Sequence, residues 1–429
     1  MTVHGMRLPR QPKARRSCRS AGHRRPFAEH PEDRRRLFMG IRRGLFMGIR
    51  RGLFIWSLRS LFMGIRRGIL FLWILLLPWT GQAAGTWITV GEDTAPSDYL
   101  VRDVPDSEMV TVTFLGDCTL GGETKSERAL LGFNRRIEEN GMEFPFRGLI
   151  SLTGADDLTV ANLEGVLTDR DPPKEKKKYN FKGPASYARI LSLGGIEAVT
   201  LANNHSHDYG EPGYEDTKTA LETGGIGWFG TDAPAVWQSG SGVMIGFLGV
   251  NYSLTGNRFL RYREQAELLR EMGCACIITV MHAGTEYSYS PPDAHQKQIV
   301  ERAAEVGSCL VIGHHPHVVQ GWAQISEMPV VYSLGNCSFG GTTHAKDSDA
   351  CAVQAVLIFS EGELTSIRLR FFPISITSDD RYNNYSPRLL TGAEGESVLR
   401  KMEKSTGNLF ETRREDGSAE IFFDLTDEK

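Results

Sequence analysis

Lysine and arginine are scarce in most of this 429-residue chain. Residues 1–68 hold 18 of the 49 basic residues and 3 of the 52 acidic ones, which leaves 31 basic and 49 acidic residues in the remainder. Neutralising a nucleic-acid backbone requires clustered Lys and Arg, so the composition argues against a nucleic-acid partner. A cationic partner, or an anionic partner bridged by metal ions, is compatible with the acidic charge.

Long apolar runs are also missing. The run at residues 69–77 is shorter than the roughly 20 residues of a membrane-spanning helix. Positive charges precede it and small residues follow it around Ala83, a pattern that predicts a signal peptide over residues 63–84. We therefore expect export to the periplasmic or extracellular face of the cell envelope, with residues 69–77 as an anchor if cleavage does not occur.

The basic leader, residues 1–62, contains an eight-residue repeat. Leu-Phe-Met-Gly-Ile-Arg-Arg-Gly occupies residues 37–44, recurs at 45–52 and 61–68, and has a degenerate copy at 53–60. A basic amphipathic membrane segment, a repeat domain and sequence upstream of the true start are three interpretations. The Met in each full repeat favours the third.

Cysteine is sparse, and one of the seven residues lies in the leader. An even number in the exported part permits disulfides, but their pairing cannot be deduced from the sequence, and buried free thiols are the preferred interpretation. Cys118 and Ser206 lie near polar motifs. No base with an orienting group points at either, which disfavours a serine or cysteine nucleophile. The six later cysteines are Cys118, Cys274, Cys276, Cys309, Cys337 and Cys351.

The rest of the chain alternates short apolar runs with helical segments. This alternation predicts an α/β fold in which helices cover central β-sheets, with β-hairpins toward the C-terminus at residues 351–371. Asp293 and Gln296 form a predicted capping box at the start of one helix. The predicted divisions are a linker at 85–108, one domain at 109–378 and a polar C-terminal extension at 379–429.

Side chains that can bind metal follow five of the predicted strands. Active sites of α/β proteins lie past the carboxyl ends of strands, so we expect these side chains to converge. A hydrogen-bonded core histidine explains any single imidazole equally well, but it does not explain the whole set. The candidates are Asp117, Glu164, Asn204 with His205, His282, and His315 with His317.

This ligand chemistry suits divalent Mn, Fe or Zn. Two such ions about 4 Å apart, bridged by a carboxylate, would hold a hydroxide for in-line attack. Pro316 favours an extended backbone at His315, so the imidazoles of His315 and His317 should point the same way while His314 points elsewhere. The lysine-rich loop at 169–178 is expected to be solvated, with a role in holding an acidic substrate as the alternative.

Six motifs, in this order, resemble the CapA family of bacterial capsule, or poly-γ-glutamate, biosynthesis proteins. The resemblance covers about residues 110–375 and implies a fold similar to calcineurin-like metallophosphatases. The motifs are Gly-Asp-Cys-Thr-Leu-Gly at 116–121, Ala-Asn-Leu-Glu at 161–164, the segment at 201–210 with Asn-Asn-His-Ser-His-Asp, His-Ala-Gly-Thr-Glu-Tyr at 282–287, Gly-His-His-Pro-His at 313–317 and Tyr-Ser-Leu-Gly-Asn at 332–336.

The resemblance also implies roles for individual residues. Glu164 resembles a bridging ligand, and His205, oriented by Asp208, resembles the histidine that assists the leaving group, while His207 has no role in the set. The other implied ligands are Asp117, Asn204, His282, His315 and His317. Substrate contacts are predicted for Asn162, Asn203, Glu286 and Asn336.

Three positions depart from the family patterns. Thr119 stands where the first metallophosphatase motif has a histidine, which puts occupancy by two metals in doubt. Ala283 stands in place of a Trp and Cys337 in place of a Phe, and both changes affect the walls of the pocket.

Two functions remain open at this stage. The first is a metal-dependent hydrolase or transferase that acts on a phosphoester or amide of an anionic polymer. The second is a non-catalytic accessory that binds the polymer or a capsule-synthase membrane complex. The ligand set favours the first function, whereas Thr119 and the acidic charge favour the second.

Overall fold

The computed structural model describes residues 85–90, 107–123 and 131–426. The leader and the signal-peptide segment predicted from the sequence lie outside these ranges. Within the described ranges, no helix has the length and apolar character needed to cross a membrane.

Strands and helices alternate through most of the chain, as the apolar periodicity predicts. Toward the C-terminus, two long strands form the predicted hairpin. In chain order the elements are β1 (Thr86–Thr89), β2 (Ser107–Thr119), α1 (Phe133–Asn140), α2 (Ile150–Thr153), β3 (Leu158–Leu163), β4 (Val166–Leu167), β5 (Lys182–Gly183), α3 (Ala188–Leu193), β6 (Ala198–Thr200), α4 (Gly210–Thr223), β7 (Gly227–Phe229), β8 (Ala235–Gln238), β9 (Met244–Asn251), α5 (Asn257–Glu271), β10 (Cys276–His282), α6 (Ala294–Glu305), β11 (Leu310–His314), β12 (Val319–Ile325), β13 (Met328–Leu334), β14 (Asn336–Phe339), β15 (Asp349–Ser360), β16 (Glu363–Ser375), β17 (Arg388–Leu389), α7 (Gly392–Thr406), β18 (Thr412–Arg413) and β19 (Ala419–Asp424).

Two mixed sheets form the centre of the fold. The ten-stranded sheet has the order β18-β19-β16-β15-β2-β3-β6-β7, with β14 paired to β2 and β17 to β16. The seven-stranded sheet has the order β1-β8-β9-β10-β11-β13-β12. Strands β2, β3, β6 and β7 run parallel in the first sheet, and β9, β10, β11 and β13 run parallel in the second.

Helices cover the outer faces of both sheets. Phe114 of the first sheet and Phe247 of the second belong to one shared buried cluster, which places the main core between the sheets. Ile190 of α3 and Leu221 of α4 pack against the ten-stranded sheet. Leu269 of α5, with α6, packs against the seven-stranded sheet. The predicted α/β fold with central sheets under helices is therefore confirmed as four layers.

Described residues from the predicted linker and from the predicted C-terminal extension pack onto the two sheets. Strand β1, inside the predicted linker, pairs with β8, and its Trp87 ring lies 5.3 Å from that of Phe247. Strand β19 extends the ten-stranded sheet by pairing with β16, and Leu399 and Met402 of α7 join the shared core. Both strands and α7 therefore add to the sheets and core of the predicted domain, while the boundaries at 108 and 378 stay predictions.

Candidate metal centre

The parallel strands of both sheets end at one place, where the candidate ligands meet. Asp117 lies near the carboxyl end of β2, and Glu164 follows β3 directly. From the seven-stranded sheet, His282 ends β10 and His314 ends β11. The convergence predicted from the strand ends is therefore present in the structure.

Glu164 is a fully buried carboxylate with no hydrogen-bond partner for either oxygen in the described part of the chain. Its Oε1 lies 3.7 Å from His282 Nε2, 3.8 Å from His205 Nε2 and 4.0 Å from His317 Nε2. Burial raises the pKa of Glu164 to about 7. Leaving a buried charge unpaired is costly, so a bound cation would satisfy both oxygens.

Two groups of ligand atoms share this carboxylate. Asp117, Glu164 and His317 form the first group, and Glu164, His282 and His315 form the second. Within each group the ligand atoms lie within 4.8 Å of one another. Asn204 Oδ1 lies 2.8 Å from His282 Nε2 and adds an amide oxygen beside the second group. The residues of both groups thus have the donor chemistry that divalent cations prefer.

The Asp117 carboxylate accepts hydrogen bonds from the N–H groups around it. Its Oδ1 accepts a 2.7 Å hydrogen bond from Asn162 Nδ2, and its Oδ2 accepts a 3.3 Å bond from the His315 N–H. Burial alone would raise the pKa of Asp117, but the imidazoles of His314 and His317, whose Nδ1 atoms lie 3.4 Å and 3.3 Å from its carboxylate oxygens, hold it well below the ordinary value. Asp117 is therefore available as an ionised ligand.

The imidazoles of the two groups differ in protonation. Burial, helped by the nearby charge of His315, holds the pKa of His282 well below its ordinary value, so His282 is neutral. Burial would also lower the pKa of His317, but Glu164 and Asp117 outweigh it and raise the pKa to about 10. Metal binding requires a neutral imidazole, so loading the first group must release a proton from His317.

His205 and Asp208 form a dyad beside the shared carboxylate. His205 Nδ1 donates to Asp208 Oδ2 at 2.7 Å, which leaves Nε2 facing Glu164. Asp208 is fully buried and also accepts a 2.6 Å bond from the Phe181 N–H. The Phe181 ring packs 4.4 Å from the His205 ring and limits its rotation.

Lys177 contacts the His205–Asp208 dyad, and the sequence pattern did not predict this contact. Its ammonium group forms an ion pair with Asp208 and donates a 2.6 Å bond to the Asn204 carbonyl. The Glu175 N–H donates to the Asp208 carbonyl at 2.8 Å. The loop at 169–178 is mostly exposed, as predicted, but its Lys177 side chain reaches the centre.

Three asparagines predicted to contact substrate form hydrogen bonds with the candidate ligands or with one another. Asn162 bonds Asp117 and lies 3.1 Å from His282 Nδ1, and Asn203 Nδ2 donates to Asn162 Oδ1 at 2.9 Å. Asn336 Oδ1 lies 2.8 Å from His317 Nδ1. Their contact with substrate stays a prediction, as does that of Glu286, which is exposed and close enough to His315 to raise its pKa against burial.

The backbone around Pro316 differs from the extended form expected. His315 and His317 have φ angles of 98° and 56°, so a turn with left-handed residues brings their rings to 6.1 Å. His314, expected to point elsewhere, is buried with its Nδ1 3.4 Å from Asp117 Oδ1. The prediction was wrong here because β11 continues through His314 and directs its side chain toward β2.

The three positions that depart from the family patterns, Thr119, Ala283 and Cys337, all lie close to the centre. The Thr119 hydroxyl donates to the Glu164 carbonyl at 2.9 Å, so it fixes the backbone of Glu164. Ala283 and Cys337 are buried beside the ligands. His207 lies 3.4 Å from Glu211 and belongs to neither ligand group.

Comparison with known proteins places the chain among capsule proteins. Residues 111–340 match the model of the family described as bacterial capsule synthesis protein PGA_cap. The capsule biosynthesis protein CapA of Bacillus anthracis is 24% identical over 291 residues, 62% of this chain and 67% of that protein. The PGA biosynthesis protein CapA of Bacillus subtilis (strain 168) is 24% identical over 302 residues, 65% of this chain and 73% of that protein.

Among solved structures, the calcineurin-like phosphoesterase YfkN from Bacillus subtilis aligns with a TM-score of 0.32 and 13% identity, over 70% of this chain and 97% of that one. A score this low carries no argument about function. The family model, by contrast, matches more than half of the sequence. The chain therefore belongs to the bacterial capsule synthesis protein family.

Proposed function

We propose that this chain is a metal-dependent hydrolase or transferase that cleaves a phosphoester or an amide bond during capsule polymer biosynthesis. The observation that carries this proposal is Glu164, a buried carboxylate with no hydrogen-bond partner among the described residues, shared by two groups of ligand atoms. A role restricted to structure would not require two converging sets of carboxylate and imidazole around it.

Each of the two ligand groups would hold one cation. Asp117, Glu164 and His317 would hold one ion, and Glu164, His282 and His315 the other, with Asn204 beside the second. Divalent Mn, Fe or Zn bound there would polarise the reacting bond and lower the pKa of a bound water.

His205 supplies the proton transfer. Asp208 accepts its Nδ1–H and would stabilise the imidazolium, so that Nε2 can hold a proton and deliver it to the departing oxygen or nitrogen. Lys177, paired with Asp208, fixes the carboxylate in this orientation. Asn203 supports the same geometry by accepting the His205 N–H at 2.9 Å.

The substrate class follows from the relatives. Both are named for capsule or PGA biosynthesis, so we propose an anionic polymer, poly-γ-glutamate, or a phosphoester precursor as substrate. Metal ions at the centre would offset the repulsion between such a polymer and the acidic chain. The site of action is the cell envelope after export, in contact with a capsule-synthase membrane complex.

The test compares two neighbouring histidines in the metal-loaded, full-length protein. Hydrolysis is measured on bis(p-nitrophenyl) phosphate and on a γ-linked glutamate oligomer. His205→Ala should lower kcat by about 10²- to 10⁴-fold because it removes the proton donor. His207→Ala is the control and should stay within about twofold, since His207 stacks on Tyr214 and lies outside both ligand groups.

Equal activity of wild type and His205→Ala would contradict catalysis by this centre. One observation favours the accessory function as the second candidate: Thr119 supplies no imidazole, so the first group has three ligands. The accessory function predicts that the metal-loaded protein binds the γ-linked oligomer and turns over neither substrate.

A further inference from the structure

A second cavity lies next to the metal centre. It has a volume of about 430 Å³, within the usual range of small-molecule sites, and it forms between the end of β9 and the first turns of α5. Its lining includes Asn251, Tyr252, Arg258, Arg261 and Gln265. None of these residues is part of the two ligand groups or the His205–Asp208 dyad.

One wall of this cavity is bonded directly to the metal centre. Asn251 Nδ2 donates to the Asn203 carbonyl at 3.2 Å, and the Tyr252 N–H donates to the His282 carbonyl at 3.3 Å. Tyr252 adopts a left-handed conformation with φ of 59° and is 44% exposed. The cavity and the metal centre therefore share the strand end of β9 as a common border.

The Tyr252 phenol lies within electrostatic reach of both sites. Burial raises its pKa, the charges of Asp208 and Glu164 raise it further, and the charge of Arg258 opposes them. Tyr252 therefore borders both the cavity and the metal centre.

The two arginines of the cavity have no acidic partner in the described part of the chain. Arg258 and Arg261 are exposed, and neither forms an ion pair with a carboxylate there. Other arginines of the same helix are already used, because Arg263 lies 3.6 Å from Glu267 and Arg270 donates to the Val306 carbonyl. Acidic residues outnumber basic ones by 49 to 31 in residues 69–429, yet neither of these two guanidinium groups has a carboxylate partner in the described part of the chain.

Gln265 adds a polar group at the base of the cavity. The residue is 7% exposed, and its Nε2 makes a single long bond of 3.4 Å to the Thr231 carbonyl. Guanidinium groups bind carboxylates and phosphates through two parallel N–H donors, and a nearby amide can add a further contact. The chemistry of the cavity therefore matches an oxyanion.

We propose that this cavity binds an oxyanion, a carboxylate or a phosphate, that belongs to the same substrate as the bond at the metal centre. The proposal rests on the proposed function for the identity of that substrate. It adds a second contact point, so the protein recognises an extended anionic molecule rather than an isolated ester or amide. A polymer with regularly spaced carboxylates meets this requirement.

Binding tests the cavity separately from catalysis. Calorimetry in the Glu164→Gln background, with chelator present, measures the dissociation constant for γ-linked tetraglutamate and for tripolyphosphate. Adding Arg258→Gln and Arg261→Gln together should weaken the preferred ligand by about 10- to 100-fold, equivalent to about 1.4–2.8 kcal/mol, because both charged hydrogen-bond donors are lost. The matched control, Arg263→Gln, should change binding by less than about twofold.

Which ligand loses affinity identifies the oxyanion: tetraglutamate indicates a carboxylate site and tripolyphosphate a phosphate site. Unchanged binding of both ligands in the double variant overturns the proposal, whether or not the protein proves to be a hydrolase. If the protein does hydrolyse esters, kcat/KM for bis(p-nitrophenyl) phosphate, which has no second anionic group, should stay within about twofold in the double variant.

A labelling experiment on the wild-type protein gives an answer that does not depend on a variant. Phenylglyoxal modifies free guanidinium groups, and mass spectrometry locates the product. Tetraglutamate or tripolyphosphate should protect Arg258 and Arg261 and leave the modification of Arg263 unchanged. Equal modification of all three arginines with and without both ligands would overturn the proposal.

Discussion

The two sheets contribute different chemistry to the metal centre. The ten-stranded sheet supplies the candidate oxygen ligands, with Asp117 from β2 and Glu164 after β3. The seven-stranded sheet supplies the imidazole of His282, and the turn between its β11 and β12 supplies those of His315 and His317. Oxygen ligands alone suit Mg²⁺ or Ca²⁺, and added imidazoles shift the preference toward Mn, Fe or Zn. The centre is complete only where the two sheets meet.

This division has a second consequence. Every imidazole of the two groups comes from the seven-stranded sheet or the turn between its β11 and β12, and both groups share the Glu164 carboxylate, which follows β3 of the ten-stranded sheet. A substitution in the seven-stranded sheet should therefore affect one ion more than the other. A substitution of Glu164 should affect both.

The largest effect is expected for Glu164→Gln. The amide cannot bridge two cations, so both groups lose their shared ligand, and kcat/KM should fall by about 10³-fold or more, equivalent to about 4 kcal/mol of transition-state stabilisation. The measurement combines steady-state hydrolysis with metal analysis of the purified variant. Retention of two ions per chain by the variant would contradict this account of the two sheets, because Glu164 would then not be the common ligand.

The next largest effect should separate the two groups. His282→Ala and His317→Ala each remove one imidazole from a different group, so each variant should lose about one of two bound ions and about 10- to 100-fold in activity. Metal analysis after dialysis measures the stoichiometry. Loss of both ions from either single variant would show that the two groups do not bind independently.

Stability without metal should respond to pH through Glu164. Its pKa is 4.5 ordinarily and about 7 in the fold, so the folded state holds the proton more tightly than the unfolded state. With chelator present, the contribution of Glu164 to the free energy of unfolding should fall by about 3 kcal/mol as pH rises from 4.5 to 7. Urea denaturation across this range measures the slope.

Glu164→Gln serves as the control for that slope, because the amide does not titrate. Its unfolding free energy should be less dependent on pH over the same interval and higher than wild type at pH 8 in chelator. An identical slope in both proteins would assign the pH dependence to other groups.

The smallest effect is expected for Thr119→Val. The hydroxyl donates to the Glu164 carbonyl, so the near-isosteric change should cost about 1 kcal/mol of unfolding free energy. Metal content should not change, because Thr119 is not a member of either ligand group. A loss of bound metal in this variant would make Thr119 a ligand and give the ten-stranded sheet a larger share of the centre.

Much of this arrangement could be predicted from local patterns. Each ligand follows an apolar run, and in parallel strands these run ends meet at one edge of a sheet. The helix α6 begins at the predicted capping box, where Asp293 accepts from the Gln296 N–H and Gln296 accepts from the Asp293 N–H. These patterns depend on residues that are close together in the sequence, so they can be predicted without knowledge of the fold.

Other features depend on contacts between distant segments. The ion pair of Lys177 with Asp208 joins a charged loop to the centre, and composition alone assigned that loop to solvent. The left-handed turn at His315 and His317 is held by tertiary contacts with Asp117, which override the local preference before Pro316. Strand β12 was not predicted because only its first residues are buried.

The most direct test of the central claim is anomalous X-ray diffraction from crystals of the full-length protein soaked in Mn²⁺. Two anomalous peaks should flank the Glu164 carboxylate, one beside Asp117 and His317 and the other beside His282 and His315. Crystals of Glu164→Gln treated in the same way should show neither peak at full occupancy. Wild-type crystals without a peak at Glu164, or with their only peaks elsewhere, would contradict a shared two-cation centre.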